Sequence, residues 1–333
     1  MDIRHIHALA NSCNLPGTCS NPQLKETHIS WIILTDDYSF KIKRPVKFTF
    51  LDFSTPEKRK HFCNKEVKLN RRLAPEMYLG VLPLTRDMLE SGTEEEGSEI
   101  IDYAVHMKRM NNDLEMDNLL RSGSVTEIHT SELAEKIALF HKNAEVVSKT
   151  TGIDRQQELF ADIKTVIPKL DGREQWEKRI NDCTARSWNF LKNNSALIKE
   201  RVKGGFYRDC HGDLNTRNIF LYDDPVIFDC IEFNDEFRHI DVLDEAAFLC
   251  IDLEFFGRGD LSEHFYHKYL MHTGSEKNVP AHRLFSYYKS YRANVRAKVS
   301  LLSMKKKSEG EKGEEYSDAL KYLALMDRHM PDT

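Results

Sequence analysis

Residues 210–221 read CHGDLNTRNIFL, and after the polar turn YDDP residues 226–233 read VIFDCIEF. Asp213, Asn218 and Asp229 therefore follow one another at short, fixed intervals. Three oxygen-bearing side chains this close repel, and they are costly to desolvate together unless something positive sits among them. NIFL and VIFD flank a turn-forming tetrapeptide, which predicts loop, strand, turn, strand. That fold-back places Asp229 beside Asn218. Phosphoryl transfer uses such a set. One carboxylate receives or orients the proton of the attacking hydroxyl, while an asparagine and another carboxylate hold magnesium against nucleotide phosphates. Magnesium takes few protein oxygens and keeps waters and phosphates at its other positions.

The bulk of the chain is compatible with this reading. At 333 residues and 40% hydrophobic, it is long enough for one large domain or two lobes. A formal net charge of -5 leaves no electrostatic footprint for nucleic acid and no basic stripe for anionic lipid. The opening MDIRHIHALANSCNLPG lacks the apolar core of a secretory signal. Runs such as WIIL and AAFLCIDL are too short to span a bilayer. The seven cysteines contain no CxxC pair, which argues for reduced thiols in a cytoplasmic protein.

The first half reads strand-rich. THISWIIL and YSFKIKRPVKF flank the turn TDD as a hairpin, and GVLPLTRDML and EIIDYAVHMKRM form two further strands around the acidic loop ESGTEEEGSE. A helix over PEKRKHFCNKEVKLNRRL lies between the two pairs. Ser54 and Glu57 predict its capping box, and Pro75 its end. Beyond KRMNNDLEMDNLL the pattern becomes helical: SELAEKIALFHKNAEVV, EQWEKRINDCTARSWNFLKNNSALIKERV, VLDEAAFLCIDLEFF, RLFSYYKSYRANVRAKVSLLSM and EYSDALKYLALMDRH, with KKKSEGEKGEE as an exposed loop. The change predicts an α+β chain with a β-rich lobe over 1–107 and a mainly helical lobe over 108–333, joined near 107–114, with a ligand in the interdomain cleft.

HGDLNTRN followed by IFD resembles the HGDxxxxN…D signature of the aminoglycoside phosphotransferase-like kinases, relatives of protein kinases that phosphorylate small molecules. The runs FKIKRPVKFTFLDFSTPEKRKHFCNKEVKLNRRLAPEMYLGVLPLT and IFDCIEFNDEFRHIDVLDEAAFLCIDLE resemble a less characterised bacterial branch of that family, so the likeness extends over nearly the whole chain. It implies a two-lobed protein-kinase-like fold, ATP and Mg2+ as cofactors, Asp213 as catalytic base, and Asn218 and Asp229 as magnesium ligands. His211 would brace the loop, and adenine would lie against the linker near Met107 and Met110. Some relatives of this branch carry an attached P-loop domain; no GxxxxGK[ST] and no GxGxxG occurs here, so the turn TDD would have to cover the phosphates without glycines.

A kinase also needs a cation on the nucleotide phosphates. Strand alternation in YSFKIK puts Lys41 and Lys43 on the same face, so periodicity does not choose between them. The resemblance favours Lys41, with Lys43 in reserve. Glu66 shares a helical face with Phe62, Leu69 and Leu73, where a carboxylate is costly unless paired. Lys41 is the partner a kinase would supply; Arg59 and Arg71 are local alternatives.

Asp229 is followed by CIE, and little chain separates it from the next helix, which leaves no room for a peptide-binding activation segment. The acceptor is therefore expected to be a small hydroxylated molecule. Glu232, Asp235, Glu236 and Asp252 make the surroundings acidic, whereas Arg292 and Arg296 share a helical face suited to an anionic acceptor. Asp241 would cap the catalytic loop, with Asp244 and Glu245 as rivals. His264, His267 and His272 lack the spacing of a zinc site. A metal-dependent phosphohydrolase would need neither Lys41 nor Glu66, and a pseudokinase would bind nucleotide without turnover. Oligomeric state is not encoded in any motif found.

Overall fold

A computed structural model describes residues 1–48, 51–90, 98–148, 152–274, 279–304 and 313–332. Most of the acidic segment after Glu90 and of the lysine-rich segment after Met304 lies outside these residues. The chain forms two compact units, Met1–Asn118 with Asn218–Asp235, and Leu119–Arg217 with Glu236–Thr333. The hairpin carrying Asn218 and Asp229 groups with the N-terminal unit because its backbone and aromatic contacts are made there.

In that first unit, strands β1 Gln23–Glu26, β2 Ser30–Leu34, β3 Tyr38–Lys43, β4 Tyr78–Thr85 and β5 Ile100–Lys108 form one antiparallel sheet in the order β1-β2-β3-β5-β4. The β2–β3 hairpin closes where the Thr35 N–H donates to the Tyr38 carbonyl at 2.9 Å. Helix α1, Ile3–Ser12, buries Ile6, Leu9 and Ala10 against Trp31, Ile33, Phe40 and Ile42. Helix α2, Pro56–Asn70, packs Cys63 and Val67 with Tyr78, Val105 and Met107. Alternation along β3 thus sends Phe40 and Ile42 into the α1 cluster and turns Lys41 and Lys43 toward Glu66 of α2. The N-cap of α2 is Thr55, not Ser54: Thr55 Oγ1 accepts the Lys58 N–H, while Ser54 is held by Asp52 at 2.6 Å. Strands β6 Ile219–Phe220 and β7 Val226–Ile227 form the expected hairpin, and the Phe228 N–H donates to the Asn218 carbonyl at 3.0 Å.

The sequence reading missed α1, β1 and a disulfide. Cys13 and Cys19 are bonded, contrary to the expectation of reduced thiols throughout; the other five cysteines are buried and form no disulfide. The loop between them is folded onto the β2–β3 turn, where Asp37 accepts the Thr18 N–H and Asp36 the Ser20 N–H, both at 2.9 Å. Gly17, at φ +88°, lies so close to Tyr38 that a Cβ there would stand 2.5 Å from the ring.

The second unit is helical: α3 Glu127–Asn143, α4 Arg173–Asn193, α5 Val242–Phe255, α6 Gly259–Thr273, α7 Val279–Ser303 and α8 Glu314–His329. The helix expected over 174–202 breaks at Asn194 and resumes at Ser195. Every residue from Val242 to Leu253 is buried, so α5 is an interior helix with α6 and α7 packed on it. An interior helix is apolar all round, and the acids on α5 must find partners inside the protein. No helix among the described residues is long and apolar enough to cross a membrane.

Candidate functional site

In the first unit, β3 and α2 bring together residues that are far apart in sequence. Lys41 Nζ lies 2.9 Å from Glu66 Oε1 and 2.5 Å from Asp229 Oδ1. Glu66 is fully buried, and its second oxygen, Oε2, takes Lys43 at 2.6 Å. Neither local alternative holds Glu66: Arg59 pairs with Asp102, and Arg71 donates to the carbonyls of Tyr78 and Leu79. Lys43 is no solvated reserve. It is fully buried and also pairs with Glu232, closer than an ordinary hydrogen bond.

The charge states follow from this packing. Burial works against the Lys41 ammonium, but Asp229, Glu66 and Glu232 outweigh it and hold the pKa well above the ordinary lysine value. Burial likewise opposes charge on Lys43, and Glu232 and Glu66 override it. Burial would raise Glu66, yet the two lysines keep it below the usual carboxylate range; Glu232 is pushed up by burial, only partly offset by Lys43.

Asp229 has φ +62°, an uncommon conformation for a residue with a side chain. Its N–H donates to the buried Tyr78 hydroxyl at 3.2 Å, and the next N–H, of Cys230, donates to Asn70 Oδ1 at 2.8 Å. The hairpin register sets Phe228 opposite Asn218, so Asp229 follows directly beside Asn218. The Asp229 side chain is 43% exposed, against 13% for Lys41. Two ammoniums face three carboxylates here, leaving one negative charge in excess beside the exposed carboxylate. Asn218 and Asp229 are both oxygen donors. Few oxygens, an anionic surplus and open access match what magnesium requires, so the residues fit that ion.

Met107, at the end of β5, is buried between Met77, Tyr78 and Val105, and half-buried Met110 packs on the same cluster with Val226 and Phe228. The chain between them is tied down: the Lys108 N–H donates to Met77 and the Arg109 N–H to Asp37, both at 2.8 Å. The TDD turn is thereby gripped by the linker on one side and by the Cys13–Cys19 loop on the other. The sheet adds a second turn, Thr27–Ile29 between β1 and β2, that the sequence did not reveal.

The second unit holds the Asp213 loop. The His211 and Gly212 N–H groups donate to Glu245 Oε1 at 2.8 and 2.6 Å, and the Asp213 N–H donates to His211 Nδ1 at 3.3 Å. Thr216 donates through N–H and Oγ1 to Asp252 Oδ2 at 3.1 and 3.2 Å. Behind the loop, Glu245 Oε2 meets His141 Nε2 at 2.8 Å, and Asp252 Oδ1 takes the Tyr322 hydroxyl at 2.6 Å and Arg296 Nε at 3.1 Å. Burial would raise Glu245, but His141, His211 and the Gly212 N–H hold it below the usual range.

Two expectations change here. Asp241 does not cap the loop: it is bound bidentately by Arg201, and Glu245 takes the role. Arg292 and Arg296 are not poised for an anion. Arg292 pairs bidentately with Asp244 at 2.7 and 3.0 Å and reaches the Gly212 carbonyl; Arg296 is bound to Asp252 and Tyr322. Burial pushes Asp244 up to about 6, against the pull of Arg292. Of the three histidines on α6, His264 contacts Thr130 and Glu127 on α3.

No protein-family model matches the chain. The chain has the protein-kinase-like fold also found in aminoglycoside phosphotransferases and choline kinases, with a β-rich N-terminal unit and a mainly helical second unit. It is similar to the solved GDP and kanamycin complex of APH(2"), with a TM-score of 0.57 at 15% identity over 98% of this chain and 99% of that one. It is likewise similar to choline kinase from Cryptosporidium parvum, with a TM-score of 0.56 at 12% identity over 98% and 95%. In sequence it is 34% identical over 314 residues to an uncharacterized protein of Mycobacterium tuberculosis. That alignment spans 92% of this chain and 59% of the relative, so the chain accounts for little more than half the relative's length.

Proposed function

We propose that the chain is an ATP- and magnesium-dependent phosphotransferase acting on a hydroxyl of a small molecule. The observation that carries the reading is Lys41 contacting both Glu66 and Asp229 within a kinase-like fold. A phosphohydrolase has no need of that lysine–glutamate pair. The structurally similar proteins include GDP and ADP complexes of aminoglycoside phosphotransferases and a choline kinase, which supports nucleotide use and a small acceptor.

In this mechanism Lys41, oriented by Glu66, neutralises the nucleotide phosphates. Asn218 and Asp229 would hold magnesium, which would supply charge neutralisation for the nucleotide phosphates. Met107 and Met110 would offer the apolar surface for adenine. Asp213 orients the acceptor hydroxyl and receives its proton. The hydroxyl oxygen forms a bond to the γ-phosphorus as the bond to the β–γ bridging oxygen breaks, and ADP leaves. Alignment and charge neutralisation supply most of the rate. The proposal includes a cytoplasmic site of action, where the donor nucleotide is made available.

The test is a pooled hydroxyl-metabolite screen with ATP and magnesium, read by mass for a phosphorylated product. Product formation supports a transferase; phosphate release without product points to a hydrolase. Nucleotide binding without ATP consumption points to a pseudokinase. Asp229→Ala should abolish magnesium-dependent nucleotide binding in titration calorimetry.

A further inference from the structure

The proposed mechanism uses Lys41, Glu66 and Asp229 and leaves a second buried lysine without a part. The side chains of Lys43 and Glu66 have no solvent exposure, and that of Glu232 has 4%. A well-packed apolar pair would fill such a volume at no desolvation cost, so a buried ion pair is better understood as fixing an arrangement than as adding stability. What this one fixes is written in its connections. Glu66, on α2, takes Lys43 through Oε2 and Lys41 through Oε1. Glu232, on the far side of Lys43, lies three residues after Asp229. Asp229 holds an uncommon positive φ, which persists only where its surroundings over-determine it. Lys43–Glu232 anchors one end of that segment; Tyr78 and Asn70 take the N–H groups at the other.

We infer that Lys43 and Glu232 are positioning residues that strap the 229–232 segment to β3 and α2, so that Lys41, Glu66 and Asp229 stand assembled before nucleotide or metal arrives. In protein kinases the lysine–glutamate pair and the metal-holding aspartate must each be brought into place, and regulation acts on that step. Here Glu66 bridges both lysines and the second lysine holds the aspartate's own segment, which removes that freedom. The inference rests on the reading of Asp229 as a magnesium ligand.

The test compares the wild type with the double variant Lys43→Met/Glu232→Met, which removes one charge of each sign and leaves Glu66 paired with Lys41. Binding of a fluorescent ATP analogue is titrated with magnesium. The magnesium concentration for half effect should rise about tenfold or more, while metal-free analogue affinity changes less than about threefold. Amide exchange at 229 and 230 should quicken about tenfold in the apo double variant. Half-effect and exchange both within about twofold of wild type would overturn the inference. Should the double variant not fold, exchange in the wild type decides: protection of the Asp229 and Cys230 amides in the apo protein is expected, and exchange at open-loop rates refutes the strap. If magnesium leaves analogue binding to the wild type unchanged, the reading of Asp229 fails, and the exchange measurement still decides the strap.

Discussion

Replacing Glu245 should loosen the Asp213 loop. Its carboxylate is almost wholly buried and accepts two backbone N–H groups, at 2.8 and 2.6 Å, besides meeting His141 at 2.8 Å. Glu245→Ala strands both N–H donors away from water, at about 1–3 kcal/mol each, so a loss of about 4 kcal/mol is expected. Glu245→Gln keeps an oxygen for the two donors but loses the charge assistance, which lowers the expected cost to about 1–3 kcal/mol. A typical domain has only about 5–15 kcal/mol of stability in all, so the alanine variant should stand near the edge of folding. Urea unfolding followed by tryptophan fluorescence measures this well, since Trp176 and Trp188 both lie on α4 of that unit. Turnover of the glutamine variant should fall while nucleotide affinity holds. An alanine variant within about 1 kcal/mol of wild type, with turnover intact, would refute the claim that Glu245 holds the loop.

Asp213→Asn should leave nucleotide affinity nearly unchanged while cutting turnover by about 10² or more, and retained turnover removes Asp213 from the chemistry. Glu254 is held down to about 2 by His329 and Lys289 despite its burial. A depressed carboxylate stabilises the fold above its unfolded value of 4.5 and loses that contribution as pH falls toward 2. After allowance for partial exposure the contribution is about 2 kcal/mol. Glu254→Gln should therefore flatten the acid limb of the stability profile between those values; an unaltered limb in urea melts at several pH values argues against it. Gly17→Ala pushes a methyl into the Tyr38 ring at a backbone angle that side chains avoid. It should cost about 2 kcal/mol and lower Tm by several degrees, and an unchanged Tm would contradict the close approach.

The sequence was most legible where chemistry and local pattern coincide. The hairpin at 219–227 followed from apolar runs around a turn, and the need of Glu66 for a cationic partner from its place on an apolar helical stripe; that the partner is Lys41 was implied by the family resemblance. Periodicity did not distinguish Lys41 from Lys43 because alternation gives only the face. That both lysines are taken up by Glu66 depends on how α2 lies against β3, which local pattern does not carry. The arginines on α7 mislead for a related reason. Spacing showed that Arg292 and Arg296 share a face, but not that Asp244 and Asp252 of α5 meet them there. Glu245 was one of three acids within a single turn and a half of helix; choosing among them required knowing that Arg201 already occupies Asp241. The Cys13–Cys19 bond spans a loop folded by Asp36 and Asp37, contacts that no spacing rule anticipates.

The Asp213 loop hangs from two acids of α5, Glu245 in its first turn and Asp252 in its last, on a helix with no outward face along most of its length. Substitutions on the outer helices can thus accumulate while the buried contacts that hold this loop stay intact. A lineage built on this plan can change its skin and keep its skeleton.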